Sequence, residues 1–134
     1  KIFLVDETYN SSPLSLQTAI QNFDKIESKN SKKYMILGDM LELGKHSIKQ
    51  HKIMSKVVNK THINKVYVIG KYIKETFKGL KKTKKAKVLK NNFGIINLIN
   101  KNLDNNDYLM IKGSNSTGLH KLVKILKQRN SHAL

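Results

Sequence analysis

A chain of 134 residues with 39% hydrophobic side chains can bury the core of one domain. It has no cysteine, which excludes disulfides, a thiolate nucleophile and thiolate metal ligands. The formal charge of +17 invites a nucleic-acid reading, but of 26 basic residues only Arg129 is Arg, the side chain whose fork best fits phosphates and base edges.

The lysine surplus comes with 14 Asn, a composition that AT-rich codon usage alone produces. Its densest run, Lys81 to Lys87, interleaves no aromatic for base stacking, so it reads as a solvated lysine surface rather than a nucleic-acid site. No apolar run approaches the roughly 20 residues of a membrane-spanning helix, and no signal peptide opens the chain. Lys1-Ile-Phe-Leu-Val5 reads as a strand with no initiating Met before it, so the sequence is expected to be a piece of a longer protein.

In chain order, the apolar run Ile2 to Val5 is followed by Asp6-Glu-Thr-Tyr-Asn-Ser-Ser-Pro13. Ser12 suits a helix N-cap and Pro13, the only proline, the first helical position. Leu16, Ala19, Ile20, Phe23 and Ile26 then recur at helical spacing. Tyr34 to Leu37 reads as a buried strand running into Gly38, a turn that displays Asp39 and Glu42, and a second glycine, Gly44. Ser47-Ile-Lys-Gln50 fits a capping box for a helix buried through Met54, Val57 and Val58.

Val66 to Ile69 is a third strand, closed by Gly70, and Tyr72 to Phe77 a short helix. A weak strand at Lys87 to Leu89 precedes a helix from Phe93 to Leu103. There Ile95, Ile96, Leu98 and Ile99 are crowded enough to predict cover on more than one side. Tyr108 to Ile111 is the fifth strand, ending in Lys112-Gly-Ser-Asn-Ser-Thr-Gly118. The last helix carries Leu119, Leu122, Val123 and Leu126 and is expected to fray after Arg129. Five strands alternating with five helices predict one α/β sandwich domain with a mostly parallel sheet and right-handed crossovers.

The polar clusters fall at strand carboxyl ends, after the first, second and fifth strands, where a parallel sheet opens its ligand crevice. In the third cluster Gly113 permits close backbone approach, Ser114 offers a hydroxyl and Lys112 a point charge beside the free N–H groups of a helix start, a combination suited to an anion. There is no G-x-x-x-x-G-K-[ST] phosphate loop and no G-x-G-x-x-G. His46 and His51 are five apart, on different helix faces, and form no metal-ligand pair. Anion-binding loops without a phosphate loop describe half of a cleft.

Three segments carry a family resemblance. Asp6-Glu-Thr-Tyr-Asn-Ser-Ser-Pro-Leu-Ser15 resembles the D-[DE]-[ST]-Y-N-A-N-P-x-S signature of the C-terminal domain of Mur ligases. Leu37-Gly-Asp-Met-Leu-Glu-Leu-Gly44, with His51 seven residues on, is similar to that family's LGDMxELG…H segment, and Tyr108 to Ser114 to its late strand and K-G-S turn. The branch resembled joins D-Ala-D-Ala to a UDP-N-acetylmuramoyl tripeptide in peptidoglycan precursor synthesis.

The resemblance implies a Rossmann-like three-layer sandwich, residues 1–134 being the C-terminal domain of a three-domain ligase, cytoplasmic and monomeric. It implies no catalytic residue and no metal ligand in this domain, ATP and Mg2+ being held mainly by a central domain. Asp6, Glu7, Tyr9, Asn10, Ser12 and Pro13 would face the nucleotide, and Lys112, Gly113 and Ser114 the dipeptide carboxylate. Asp39, Glu42 and His51 would shape the second loop on the substrate side, with no chemical step assigned to each. Ser12 stands where the family usually has Asn, and Asn115 where it often has Arg. Two other classes compete: a non-catalytic Rossmann-like module for an anionic ligand, and a lysine-rich nucleic-acid-binding domain.

Overall fold

The computed structural model describes residues 1–91, 93–114, 118–128 and 132–133. Strands β1 (Phe3–Glu7), β2 (Lys33–Gly38), β3 (Lys65–Ile69), β4 (Lys85–Leu89), β5 (Tyr108–Lys112) and β6 (His132–Ala133) form one sheet in the order β4-β3-β2-β5-β1-β6. Every pairing is parallel. Helices α1 (Pro13–Lys25), α2 (Ser47–Asn59), α3 (Ile73–Lys78), α4 (Phe93–Asn102) and α5 (Leu119–Lys127) make the crossovers. The five expected strands are present, and the two-residue β6, which carries no pattern of its own, adds a sixth against β1.

Two apolar cores follow from strand alternation. Met35, Leu37, Val66, Val68 and Met110 point to one face and pack on Leu16, Ile20 and Phe23 of α1, Met54 and Val58 of α2, and Ile73 of α3. Leu4, Tyr34, Ile36, Leu109 and Ile111 point to the other and pack on Ile95 and Ile99 of α4 and Leu119, Leu122, Val123 and Leu126 of α5. The result is three layers, with β2, covered on both faces, buried along its whole length.

The start of α1 is as expected: Ser12 Oγ accepts from Ser15 N at 3.1 Å, and Ser15 Oγ accepts from Ser12 N at 2.8 Å, closing a reciprocal box with Pro13 at the first turn. The start of α2 differs. A 3-10 turn, Gly44–His46, runs directly into the helix and His46 already has helical backbone, so Ser47 is the first helical residue rather than the cap. In α4, Ile95, Ile99 and Leu103 share one buried face and Ile96 is half-buried against the same core, while Gly94, Asn97 and Asn100 are exposed; the side chain of Leu98 lies outside those described.

The lysine surface is not all solvated. Lys84, 8% exposed, donates to the carbonyls of Thr61 and Ile63, at 2.7 Å each. Lys33, buried at the start of β2, donates to the Asp24 carbonyl at 2.7 Å and lies over the Phe23 ring. Burial holds both ammonium groups below the ordinary lysine pKa. The expected fraying after Arg129 lies outside the described residues, as does Asn115.

Candidate functional site

The strand order makes β5 the immediate neighbour of both β1 and β2, so the segments leaving all three strands emerge side by side at one edge. Helices α1 and α2 leave that edge over one face and α5 over the other, so the backbone diverges on both sides of β5, from β1 and from β2, the kind of position at which parallel sheets open a crevice. Three segments separated by up to 102 residues thereby meet.

Hydrogen bonds knit them together. The Lys112 ammonium, at the end of β5, donates to the Asn10 carbonyl in the segment after β1. On the other side of β5, the backbone N–H and the hydroxyl of Ser114 both donate to the Asp39 carbonyl after β2, at 3.3 and 3.2 Å. Lys112 is 3% exposed, and burial lowers its pKa against a partly restoring pull from Glu7, its register partner on β1. Both donors that the sequence assigns to a dipeptide carboxylate are thus engaged with main-chain oxygens. The Ser114 hydroxyl, with a single proton, would have to give up this bond to take a carboxylate, whereas the Lys112 ammonium keeps two further donors. Gly113, between them, is buried.

Asp39 is not displayed at the surface. It is 9% exposed, and its carboxylate accepts from the backbone N–H groups of Lys71 (3.1 Å), Tyr72 (2.9 Å) and Ile73 (2.8 Å), capping α3. Gly70 adjoins it at φ +138°, where an added Cβ would come within 2.5 Å of Asp39 Oδ1. His51 is 0% exposed. Met40 N–H donates to its Nε2 at 3.0 Å, which places the ring proton on Nδ1, where it donates to the Ser47 carbonyl at 2.7 Å. Thr76 of α3 donates to the His51 carbonyl. The Asp39 and His51 side chains thus fix the second loop to α2 and α3. Glu42 is exposed at φ 63° and takes no part in this lattice.

In the first loop Asp6 accepts from the Thr8 N–H at 3.0 Å and the Thr8 hydroxyl at 2.6 Å, and pairs with Lys127 of α5 at 3.4 Å. Burial would raise its pKa, but these bonds outweigh burial and hold it below the ordinary value. Tyr9 is 84% exposed, and the Asn10 side chain accepts from Ser11 N–H. Ser12 and Pro13 start α1. The Ser11 hydroxyl is buried with no hydrogen-bond partner among the described residues.

Glu7 and Lys112 line an open groove of about 430 Å3 with Ser12, Leu14, Ser15, Thr18 and Asn22. Thr18 and Asn22 were not singled out from the sequence. With Ser15 they recur at helical spacing beside the apolar stripe of α1, the one signal that could have marked them. Among the described residues no group of three His, Asp or Glu side chains could hold a metal ion. Among the described residues, too, no helix is long and apolar enough to cross a membrane.

Residues 2–115 match the family model described as Mur ligase, glutamate ligase domain. The UDP-N-acetylmuramoyl-tripeptide--D-alanyl-D-alanine ligase of Buchnera aphidicola subsp. Acyrthosiphon pisum is 33% identical over 130 residues, covering 92% of this chain and 26% of that protein. The Bacillus subtilis enzyme of the same name is 31% identical over 126 residues, covering 92% and 27%. A crystal structure of MurF from Acinetobacter baumannii superposes with a TM-score of 0.74 at 25% identity, over 90% of this chain and 27% of that one. The MurF ligase of Thermotoga maritima in complex with ADP gives 0.71 at 22% identity, over 90% and 27%. The chain spans about a quarter of the length of these relatives.

Proposed function

Because the chain belongs to the Mur ligase family, we propose that it is the C-terminal domain of a three-domain, ATP-dependent ligase that joins D-Ala-D-Ala to the UDP-N-acetylmuramoyl tripeptide. In the proposed reaction ATP phosphorylates the tripeptide carboxylate, and the dipeptide amine displaces phosphate from the acyl phosphate to form the amide. The enzyme would act in the cytoplasm as a monomer. ATP phosphates and Mg2+ belong on this reading to a preceding central domain, since the chain has neither a phosphate loop nor, among its described residues, a carboxylate cluster for a metal.

The observation that carries the reading is the meeting of three family segments, at Asp6–Ser15, Gly38–Gly44 and Lys112–Ser114, on adjacent strand ends. The groove between β1, β5 and α1 offers one carboxylate, Glu7, with the polar side chains of Thr18 and Asn22, groups suited to the hydroxyls of a ribose. Leu14, in its lining and 75% exposed, and Tyr9, in the segment after β1 and 84% exposed, offer apolar area to a base or to a closing domain. The segment after β5 faces the dipeptide.

The test is ligation by the full-length enzyme. With ATP, Mg2+ and UDP-N-acetylmuramoyl tripeptide, pentapeptide product and ADP should appear only when D-Ala-D-Ala is supplied. The isolated 134-residue chain should fold and release no ADP. Full-length enzyme that accepts a different amine and ignores D-Ala-D-Ala would overturn the assignment, and ATP turnover by the isolated chain would overturn the half-cleft reading.

A further inference from the structure

We propose that Lys112 is a positioning residue, a strut that locks the segment after β1 to the end of β5 so that the nucleotide and dipeptide loops move as one body. The inference rests on the assignment of those loops under Proposed function, and it changes the part given to Lys112, from carboxylate ligand to internal tie.

Three observations carry it. Lys112 is the last residue of β5, opposite Glu7 on β1 and Leu37 on β2, so its backbone is held from both sides. It borders the groove beside Glu7 but is only 3% exposed, so most of its side chain is packed inside rather than offered to a ligand. Its Nζ instead donates to the Asn10 carbonyl, two residues before the Ser12 cap of α1.

The energetics agree. Burying an ammonium is costly unless it is hydrogen-bonded and near opposite charge. Here the main-chain acceptor supplies the bond, and Glu7 acts on the ammonium from the adjoining strand without an ion pair within 4.0 Å. Removing the ammonium would take from the Asn10 carbonyl the side-chain donor that ties it to β5 and release the exposed segment that carries Tyr9 and Asn10. The other side of the β5 end is tied independently, through Ser114 to Asp39. Lys112 is therefore the side-chain tie from β5 to the first loop, and Ser114 the tie to the second.

The experiment is steady-state kinetics of the full-length ligase with K112M, which keeps the aliphatic stem and removes the donor. ATP and D-Ala-D-Ala are varied separately. A strut predicts that both KM values rise, by about tenfold each, the loss of one charge-assisted hydrogen bond. A rise in the dipeptide KM alone would show a direct carboxylate ligand and overturn the proposal, as would no change in either.

Should K112M not fold, amide hydrogen exchange on the wild-type enzyme decides. Saturating D-Ala-D-Ala should protect residues 8–12 as well as the segment after β5, and protection confined to the latter would overturn the strut. Failure of the functional reading looks different, because the wild-type enzyme would then form no D-Ala-D-Ala product at all.

Discussion

The contact between Asp39 and Gly70 can be tested by a double-mutant cycle in the 134-residue chain. D39A removes the acceptor of three backbone N–H groups at the start of α3. A buried donor left unpaired costs about 1–3 kcal/mol. Water entering the vacated space recovers part of that, so a loss of about 3 kcal/mol is expected.

G70A adds a Cβ within 2.5 Å of Asp39 Oδ1 at a backbone φ of +138°. The carboxylate cannot withdraw without breaking its own bonds, so clash and backbone strain together should cost about 4 kcal/mol, about half from each. In the double variant the clash partner is gone and only the strain remains. D39A/G70A should therefore lose about 2 kcal/mol less than the sum of the single variants, a coupling well above the roughly 0.5 kcal/mol error of additivity. Urea unfolding of the four proteins measures it, with sucrose in every sample to keep the double variant in range. Additive losses would refute the claim that the Asp39 carboxylate, in addition to the positive φ, excludes a side chain at position 70.

Four further outcomes are expected. K84M should lose about 2–3 kcal/mol because two carbonyls lose their donor, while the exposed K82M changes stability by less than about 0.5 kcal/mol, both measured by urea unfolding. D6N should cost about 1 kcal/mol near neutral pH. The folded-state pKa of Asp6 is lowered, so its contribution is present above the unfolded value of about 3.9 and is lost as pH falls through the folded one; thermal melts from pH 7 to pH 2 should show the two proteins converging at the acid end. S11A should raise stability by up to about 1 kcal/mol by removing a buried, unpaired hydroxyl, unless ligation by the full-length enzyme falls at the same time, which would make the hydroxyl a ligand group. S114A in that enzyme should raise the dipeptide KM while leaving the ATP KM within twofold, since the Ser114 hydroxyl ties the β5 end to the second loop, on the dipeptide side.

The layers were legible where local pattern and tertiary context agree. Glycine-bounded apolar runs marked β2 and β3, and the stripe from Leu16 to Phe23 with the Ser12–Pro13 start marked α1 to its first residue. What was not legible depends on partners far along the chain. Asp39 reads as a displayed acid because its three donors lie at 71–73 and nothing around residue 39 announces them. Lys84 is one lysine in a run of lysines until the turn after α2 supplies two carbonyls. Ser47 matched a capping pattern, but the 3-10 turn before it had already started the helical backbone, and its hydroxyl lies 3.4 Å from His51 Nδ1.

The same logic explains why two acids kept beside glycines in a strongly basic chain have such different surroundings. Asp39 serves through geometry: its carboxylate holds α3 and its carbonyl holds Ser114, so one residue fixes the turn after β3 relative to the end of β5. Glu42 serves neither purpose and is exposed at a positive φ, three residues further along the same loop. A backbone held in that region by a non-glycine residue costs about 1–3 kcal/mol and persists only where its surroundings impose it. The His51 bond to Met40 lies two residues before Glu42. The loop is therefore anchored at its first two residues, by Asp39 and Met40, and offers Glu42 as its exposed carboxylate. On the ligase reading, Glu42 rather than Asp39 is the acid left to meet an incoming amine or a closing domain.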